Sequence, residues 1–230
     1  MFIKEIHSPN ITEGINDPNI FKAIFVAGPP GAGKNFVIQK LGLMASGLKL
    51  QDIDQIGGML KRIGTPGSDV HSKSIDFIKR RQQLFQSQML GLIINTTGRD
   101  FNTLIRLNDS LKEIGYDTFM LYVTVEKDIA LKRIQRRPRV STNIGDVGRE
   151  VDIDYFEQAY TAVANNAELY ALIFDNQFAM VTNNDELAES APPTQTFKDT
   201  LIAAMKKVHA FLRKPLTPKA QQTINSMRRS

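Results

Sequence analysis

Apolar residues along the chain fall into two kinds of run that alternate. One kind is short and continuous. "KAIFVAG", Lys22 to Gly28, is such a run closed by glycine, as expected of a parallel strand buried on both faces. The other kind is spaced for a helix. "KNFVIQKLGLMAS" sets Phe36, Val37, Leu41 and Met44 on one side. The alternation continues. "LKLQDID", Leu48 to Asp54, predicts a second strand, and "DVHSKSIDFIKRRQQLFQSQML" a long helix. "GLIINTTGR" predicts a third strand with polar residues at its end. "FNTLIRLNDSLKEIGY" is a helix closed by Gly115. "DTFMLYVTV" is a fourth strand, and "EKDIALKRIQRR" a helix stopped by Pro138. After the loop "VSTNIGDVG" comes the helix "VDIDYFEQAYTAVANNAEL", then "YALIFDN" as a fifth strand. A last helix runs from Phe197 to Leu212, and Pro215 and Pro218 open a frayed tail. Residues before Asn19 read as loop. Strands alternating with helices imply an α/β fold: a three-layer arrangement with a central parallel sheet of about five strands.

At 230 residues the chain suits one domain, 1–213, with a tail, 214–230. No apolar run approaches the roughly 20 residues that span a bilayer. The N-terminus "MFIKEIHSPN" lacks a secretory apolar stretch, and there are no cysteines, which excludes disulfides and thiolate metal sites. A cytoplasmic protein is the simplest reading. The net charge of +5 is unevenly placed. From Met205 onward there are seven Lys and Arg and no acid, while the rest holds 22 Lys and Arg against 24 acids. The basic end is either a solvated terminus or a contact for DNA or another polyanion.

The chemistry concentrates after the first strand. "GPPGAGKNF" (Gly28, Pro29, Pro30, Gly31, Ala32, Gly33, Lys34, Asn35, Phe36) reads G-x-x-x-x-G-K between a predicted strand and a predicted helix, the context a phosphate-binding loop requires. Its glycines let backbone N–H groups approach phosphate oxygens, and the helix start adds positive potential. Lys34 reaches the β- and γ-phosphates as a point charge. Asn35 stands where Ser or Thr usually holds magnesium. Its amide oxygen can ligate a hard cation, with the ion shifted or reached through water. The alternative is a loop that binds nucleotide and turns over slowly. The third strand ends in Asn95, where an acid commonly helps the metal. Asp52 and Asp54 are the acids in position. At spacing two on an extended strand they point to one face. One accepts a proton from an attacking hydroxyl, and one holds metal-bound water.

With "AGPPGAGKNF", "DID", "LIINTTGRD", the "LKEIGYDTFMLYVTVEKDIALKRIQRR" unit and "GREV" (Gly148 to Val151), the pattern resembles the zeta-toxin family of P-loop kinases from about Lys22 to Tyr170. The outline also fits other small P-loop kinases, including phage enzymes that phosphorylate modified bases in DNA. The resemblance implies transfer of phosphate from ATP or GTP, with Mg2+, to a hydroxyl; zeta toxins act on UDP-N-acetyl amino sugars. It makes Asp54 the general base, with Thr97 and Arg99 as the acceptor-contacting Thr-x-Arg. It also makes Arg133 and Arg149 phosphate-facing arginines. Asp52 joins the acceptor and metal residues, with Asn35 as the other metal ligand. Asn35 and Asn95 depart from the family pattern.

Part of this stands on residue chemistry alone. "KRIQRRPR" packs Lys132, Arg133, Arg136, Arg137 and Arg139 together, and Arg133 and Arg137 share a helical face. Guanidinium groups stabilise charge on a phosphoryl group in transfer, and the glycine-bearing "VSTNIGDVGRE" suits a closing lid. "KRRQ", Lys79 to Gln82, is a second basic cluster, read first as a solvated face. His7, His71 and His209 show no metal spacing. Three readings remain. The first is a kinase with a nucleotide-sugar or nucleotide acceptor. The second is a kinase acting on hydroxylated bases or ends of DNA. The third is a nucleotide-binding module without transfer chemistry.

Overall fold

The computed structural model describes residues 16–136, 153–185 and 193–228. Its sheet contains β1 (Lys22–Ala27), β2 (Lys49–Asp52), β3 (Leu92–Asn95), β4 (Asp117–Thr124) and β5 (Phe178–Thr182). The spatial order is β2-β3-β1-β4-β5, and every neighbouring pair is parallel. Between the strands run α1 (Lys34–Lys40), α2 (Ile53–Arg62), α3 (Gly67–Ser87), α4 (Phe101–Glu113), α5 (Lys127–Arg136) and α6 (Ile153–Phe174). Helices α7 (Gln195–Leu212) and α8 (Pro218–Met227) follow β5.

All six residues of β1 are buried, because helices cover both sides of the sheet. Ile24 and Val26 face Val37 of α1, Ala130 of α5 and Val208 of α7. Ala23, Phe25 and Ala27 face the other way, toward Leu104 and Leu111 of α4 and Tyr170 and Phe174 of α6. The three layers follow from this alternation. Burying a side chain such as Phe25 contributes about 1.5–3 kcal/mol, so β1 alone is a major part of the core. Lys22 opens the strand at a buried position. It keeps its charge partner in Asp117 at the start of β4, 3.2 Å away. Burial pulls the Lys22 pKa down, and Asp117 opposes that shift.

Three expectations change. "YALIF" is the last stretch of α6, not a strand. Phe156, Ala159, Val163, Tyr170 and Phe174 form one buried stripe at helical spacing, while Leu172 and Ile173 are exposed apolar residues beside it. A short all-apolar run has no period of its own, so it cannot separate strand from helix. The fifth strand comes after a 3-10 turn at Asp175–Gln177, where Ala179 and Val181 point inward and Met180 outward. The second strand stops at Asp52, and Ile53 starts α2, so Asp52 and Asp54 do not share a strand face. The C-terminal segment is not frayed. Thr217 caps α8 by accepting from the Ala220 N–H at 3.2 Å, with Pro218 in the first turn, a standard start signal. Ala220 and Ile224 are buried in the core on the α4 and α6 side.

Helix α8 also marks a position in the fold. Thr217 donates from Oγ1 to the Gly115 carbonyl at 2.7 Å, and Ala220 packs beside Gly115 and Phe21. Phe21 immediately precedes β1 and Gly115 stands two residues before β4, so this basic end lies at the sheet edge where those strands begin. Ile224→Ala should cost about 2 kcal/mol or more in urea unfolding, and Thr217→Ala about 1 kcal/mol. A frayed segment would leave both variants at the parent stability.

Candidate active site

Strand β1 lies between β3 and β4, where the sheet order reverses. In open α/β sheets ligands bind in the crevice beyond the strand ends at that point. The loop Gly28–Gly33 leaves β1 there and opens α1 at Lys34. It has little room to spare. A Cβ on Gly31 would lie 2.6 Å from the Ala130 carbonyl oxygen of α5. One on Gly33 would lie 2.4 Å from Asn183 Nδ2, just past β5. Both glycines also have positive φ, 83° and 80°, which other residues adopt only with strain.

The loop is held from behind by hydrogen bonds. Asn183 donates from Nδ2 to the Ala32 carbonyl at 2.8 Å. Arg133 of α5 is buried and donates to the carbonyls of Gly31 at 3.0 Å, Asn183 at 2.9 Å and Asp185 at 2.6 Å. Burial pulls the guanidinium pKa down, the Asp185 charge opposes this, and arginine stays charged throughout. The expectation of a phosphate-facing Arg133 therefore meets a different geometry. Both its terminal nitrogens donate to backbone carbonyls, Nε has no partner, and its place is that of a positioning residue. Arg149, Arg137, Arg139 and the lid reading of "VSTNIGDVGRE" lie outside the described residues. At the front, Lys34 Nζ donates to the Gly28 carbonyl at 2.9 Å and the Pro29 carbonyl at 3.4 Å.

Beside the loop, Asn35, Asn95 and Asp52 meet. Asn95 ends β3, which pairs with β1 and β2 on either side. One amide nitrogen, Asn95 Nδ2, donates to Asn35 Oδ1 at 2.7 Å and to Asp52 Oδ2 at 2.8 Å. The other Asp52 oxygen accepts from the Asp54 N–H at 2.9 Å and the Gln55 N–H at 3.3 Å, so Asp52 is the N-cap of α2. Asn95 Oδ1 is buried with no hydrogen-bond partner. Asp54 stands one residue into α2, exposed, on the wall of the same cleft.

Thr97 and Arg99 follow β3. The Gly28 N–H donates to the Thr97 carbonyl at 3.2 Å, which ties this segment to the phosphate loop. Helix α6 fixes it from the other side. Tyr170 donates to the Gly98 carbonyl at 2.9 Å, and Asn166 Nδ2 to the Gly98 and Arg99 carbonyls at 3.0 and 3.1 Å. Burial, then the nearby Asp100 charge, push the Tyr170 pKa upward, so it remains a donor. The Arg99 guanidinium lies over the Tyr155 ring, 5.4 Å from its centre.

These pieces enclose a cleft of about 340 Å³. Gly31, Gly33, Lys34 and Asn35 form one end, with Pro30 at the rim. Asp52, Asp54, Asn95, Thr97 and Tyr155 line the middle. The far part runs between α2 and α3, past Gln55, Gly58, Lys61, His71 and Ser74. Gly28, Pro29 and Ala32 support the loop without lining the cleft. Phe36 turns away from it and stacks on Phe197 of α7, with ring centres 5.8 Å apart. Arg99 lines a neighbouring cavity of about 450 Å³ between β3 and α4, with Thr97 shared by both.

A family model described as Zeta toxin matches residues 59–189, more than half of the chain. The chain belongs to the zeta toxin family. The match begins inside α2, so the phosphate loop precedes it. No curated protein sequence matches. Among solved structures the fold is shared with a candidate kinase from Chloroflexus aurantiacus (15% identity, 86% of this chain and 100% of that one, TM-score 0.56). It is shared also with a protein of the PezAT chromosomal toxin–antitoxin system of Streptococcus pneumoniae (15%, 89% and 90%, TM-score 0.55). The third is a chain of the AvrRxo1-ORF1:-ORF2 complex with ATP (14%, 70% and 54%, TM-score 0.55), of which this protein spans about half the length.

For this zeta toxin relative, sequence reasoning missed the helix α2, and with it the wall that Gln55 and Lys61 form opposite the predicted long helix α3. His71 of α3 lines the same cleft although its sequence spacing carries no signal. The anchors Asn166, Tyr170 and Asn183 had none either, since each acts through a backbone carbonyl distant in the chain. In "KRRQ", Arg81 is not a solvated cation. It donates to the Leu50 carbonyl at 2.6 Å and to Gln51 Oε1 at 3.3 Å, bracing β2. Among the described residues no group of three or more His, Cys, Asp or Glu is placed to hold a metal ion, and no helix is long and apolar enough to cross a membrane. Arg133→Lys should lower stability by about 2 kcal/mol or more in chemical denaturation, because one ammonium cannot reach three separated buried carbonyls. An arginine that served only a phosphate would leave stability unchanged.

Proposed function

We propose that this zeta toxin family protein is an ATP-dependent phosphotransferase whose acceptor hydroxyl belongs to a small anionic molecule, a nucleotide or nucleotide-sugar. One observation carries the reading: a single cleft joins the phosphate loop to Asp54 and continues between α2 and α3. Lys34 and the loop amides take the triphosphate. The acceptor lies in the α2–α3 part, where the exposed Lys61 and His71 suit negative charge on it. Its oxygen attacks the γ-phosphorus as the bond to the β–γ bridging oxygen breaks, and ADP leaves. Asp54 takes the hydroxyl proton. Asp52 is the poorer base, since both its oxygens already accept hydrogen bonds and it caps α2. Thr97 contacts the acceptor from the middle of the cleft, and Arg99, which lines the neighbouring cavity, is held against Tyr155 on the cleft wall.

Magnesium, when it accompanies the nucleotide, supplies charge neutralisation at the phosphates. The residues present fit a cation carried by phosphate oxygens and water. They do not fit one held by protein, because Asn35 Oδ1 and Asp52 Oδ2 both face an amide nitrogen. Polynucleotide acceptors are less well supported. The C-terminal helix α8 of this basic end lies where β1 and β4 begin, with Lys219 its one charged residue, and the phosphate loop follows the opposite end of β1. Six strand residues at about 3.3 Å each separate the two edges by about 20 Å.

The test is transfer of label from gamma-labelled ATP to a panel of nucleosides, nucleotides, nucleotide-sugars, plain DNA and hydroxymethylated DNA. Label is expected on a small anionic acceptor. Asp54→Asn should reduce it about a hundredfold or more while ATP binding is kept. Full turnover in Asp54→Asn would remove the base assignment. ATP bound with no transfer to any acceptor would favour a nucleotide-binding module.

A further inference from the structure

We infer that Asn35 and Asn95 are a matched amide pair that assembles the nucleotide end of the cleft without a divalent cation, so that metal-free ATP binds about as well as ATP with magnesium. This rests on the nucleotide reading above. Asn95 Nδ2 stands within 2.8 Å of two oxygens, Asn35 Oδ1 and Asp52 Oδ2. A phosphate loop with a hydroxyl and a strand-end carboxylate at these two positions brings oxygens together and relies on a cation to reconcile them. Here an N–H donor does that work. The amide orientation is forced by chemistry. Turned over, Asn95 Oδ1 would face Asp52 Oδ2 at 2.8 Å, a carboxylate oxygen with no proton to donate.

The two asparagines depend on each other. Asn35 presents the acceptor one atom farther out than serine would, which is the reach the 2.7 Å bond uses. Asn95 in turn must donate twice, and an aspartate there donates nothing. The pair also ties three elements together: the start of α1, the end of β3 and, through Asp52, the N-terminus of α2. The hydrogen bonds that place Asp54 thus run through Asn95 Nδ2 and both Asp52 oxygens, and Asn95 Oδ1 is the acceptor of the group left without a partner. Neutral amides at both positions leave Asp52 as the one carboxylate in this hydrogen-bonded group, so a triphosphate without its metal meets little added repulsion.

Calorimetric titration of ATP into the full chain, in EDTA and in excess magnesium, tests this. The two dissociation constants should agree within about fivefold. Asn95→Asp should bind ATP more than about tenfold more weakly in EDTA and recover with magnesium. Magnesium alone should raise the melting temperature of that variant and leave the parent unmoved. Parent binding that improves about a hundredfold with magnesium would overturn the inference and leave the kinase reading standing. So would an Asn95→Asp protein with the parent's metal response. No ATP binding in either buffer would overturn both. If circular dichroism shows Asn95→Asp unfolded, the two parent titrations still decide.

Discussion

The phosphate loop can exist only because its carbonyls are satisfied from behind. A loop that offers backbone N–H groups to a ligand must find partners for its C=O groups elsewhere, and a buried carbonyl left alone costs about 1–3 kcal/mol. Here Arg133 and Asn183 take the Gly31 and Ala32 carbonyls. Arg133 also takes the carbonyls of Asn183 and Asp185, so one guanidinium binds the loop to the segment after β5. The glycines then become a requirement of space as much as of φ. Gly31 and Gly33 lie against α5 and Asn183 with no room for a methyl group. Sheet order follows from the same contact, since β4 and β5 must lie on that side of β1 to deliver α5 and Asn183.

The opposite side of the loop is built from amides. Asn95 donates twice from one amide nitrogen, and Asp52 is drawn into capping a helix. This separates two carboxylates that look equivalent in sequence. Asp52 is buried and spent on structure, and Asp54, one step into α2, faces the cleft. Helix α6 completes the arrangement from beneath. Asn166 and Tyr170 hold the turn after β3, whose Thr97 carbonyl accepts from the phosphate loop. The first and third strands thus present their ends as one surface, with the α2–α3 wall rising beside it.

Much of the fold was legible because burial imposes period. Four of the five strands and the long helices stand out as continuous or helically spaced apolar runs, and the loop as glycines at fixed offsets. The errors have physical causes. Phe178 to Thr182 is an edge strand beside β4, half exposed and short, so its signal was weaker than the apolar end of α6 next to it. Ile53 and Asp54 read as a continuation of the strand because the cap residue Asp52 keeps extended backbone angles, and the helix that follows opens "IDQIGG", with two glycines that argue locally against helix. Pro218 read as a breaker although proline in a first helical turn is a start.

The sequence by itself determined the alternating α/β plan, the phosphate loop and its lysine, the two acids near it, and the likeness to zeta toxins. Those are local matters: period, spacing and residue type. Only the tertiary structure decided what each group does. It gave Arg133 to the loop carbonyls, Asp52 to a helix cap, Asn95 to Asn35 and Asp52 at once, and the basic C-terminus to the sheet edge opposite the loop. The reason is that a polar side chain takes its role from whichever partners burial leaves it. Those partners stand 43 residues away for Asp52 and Asn95, 60 for Asn35 and Asn95, and 102 for Arg133 and Gly31.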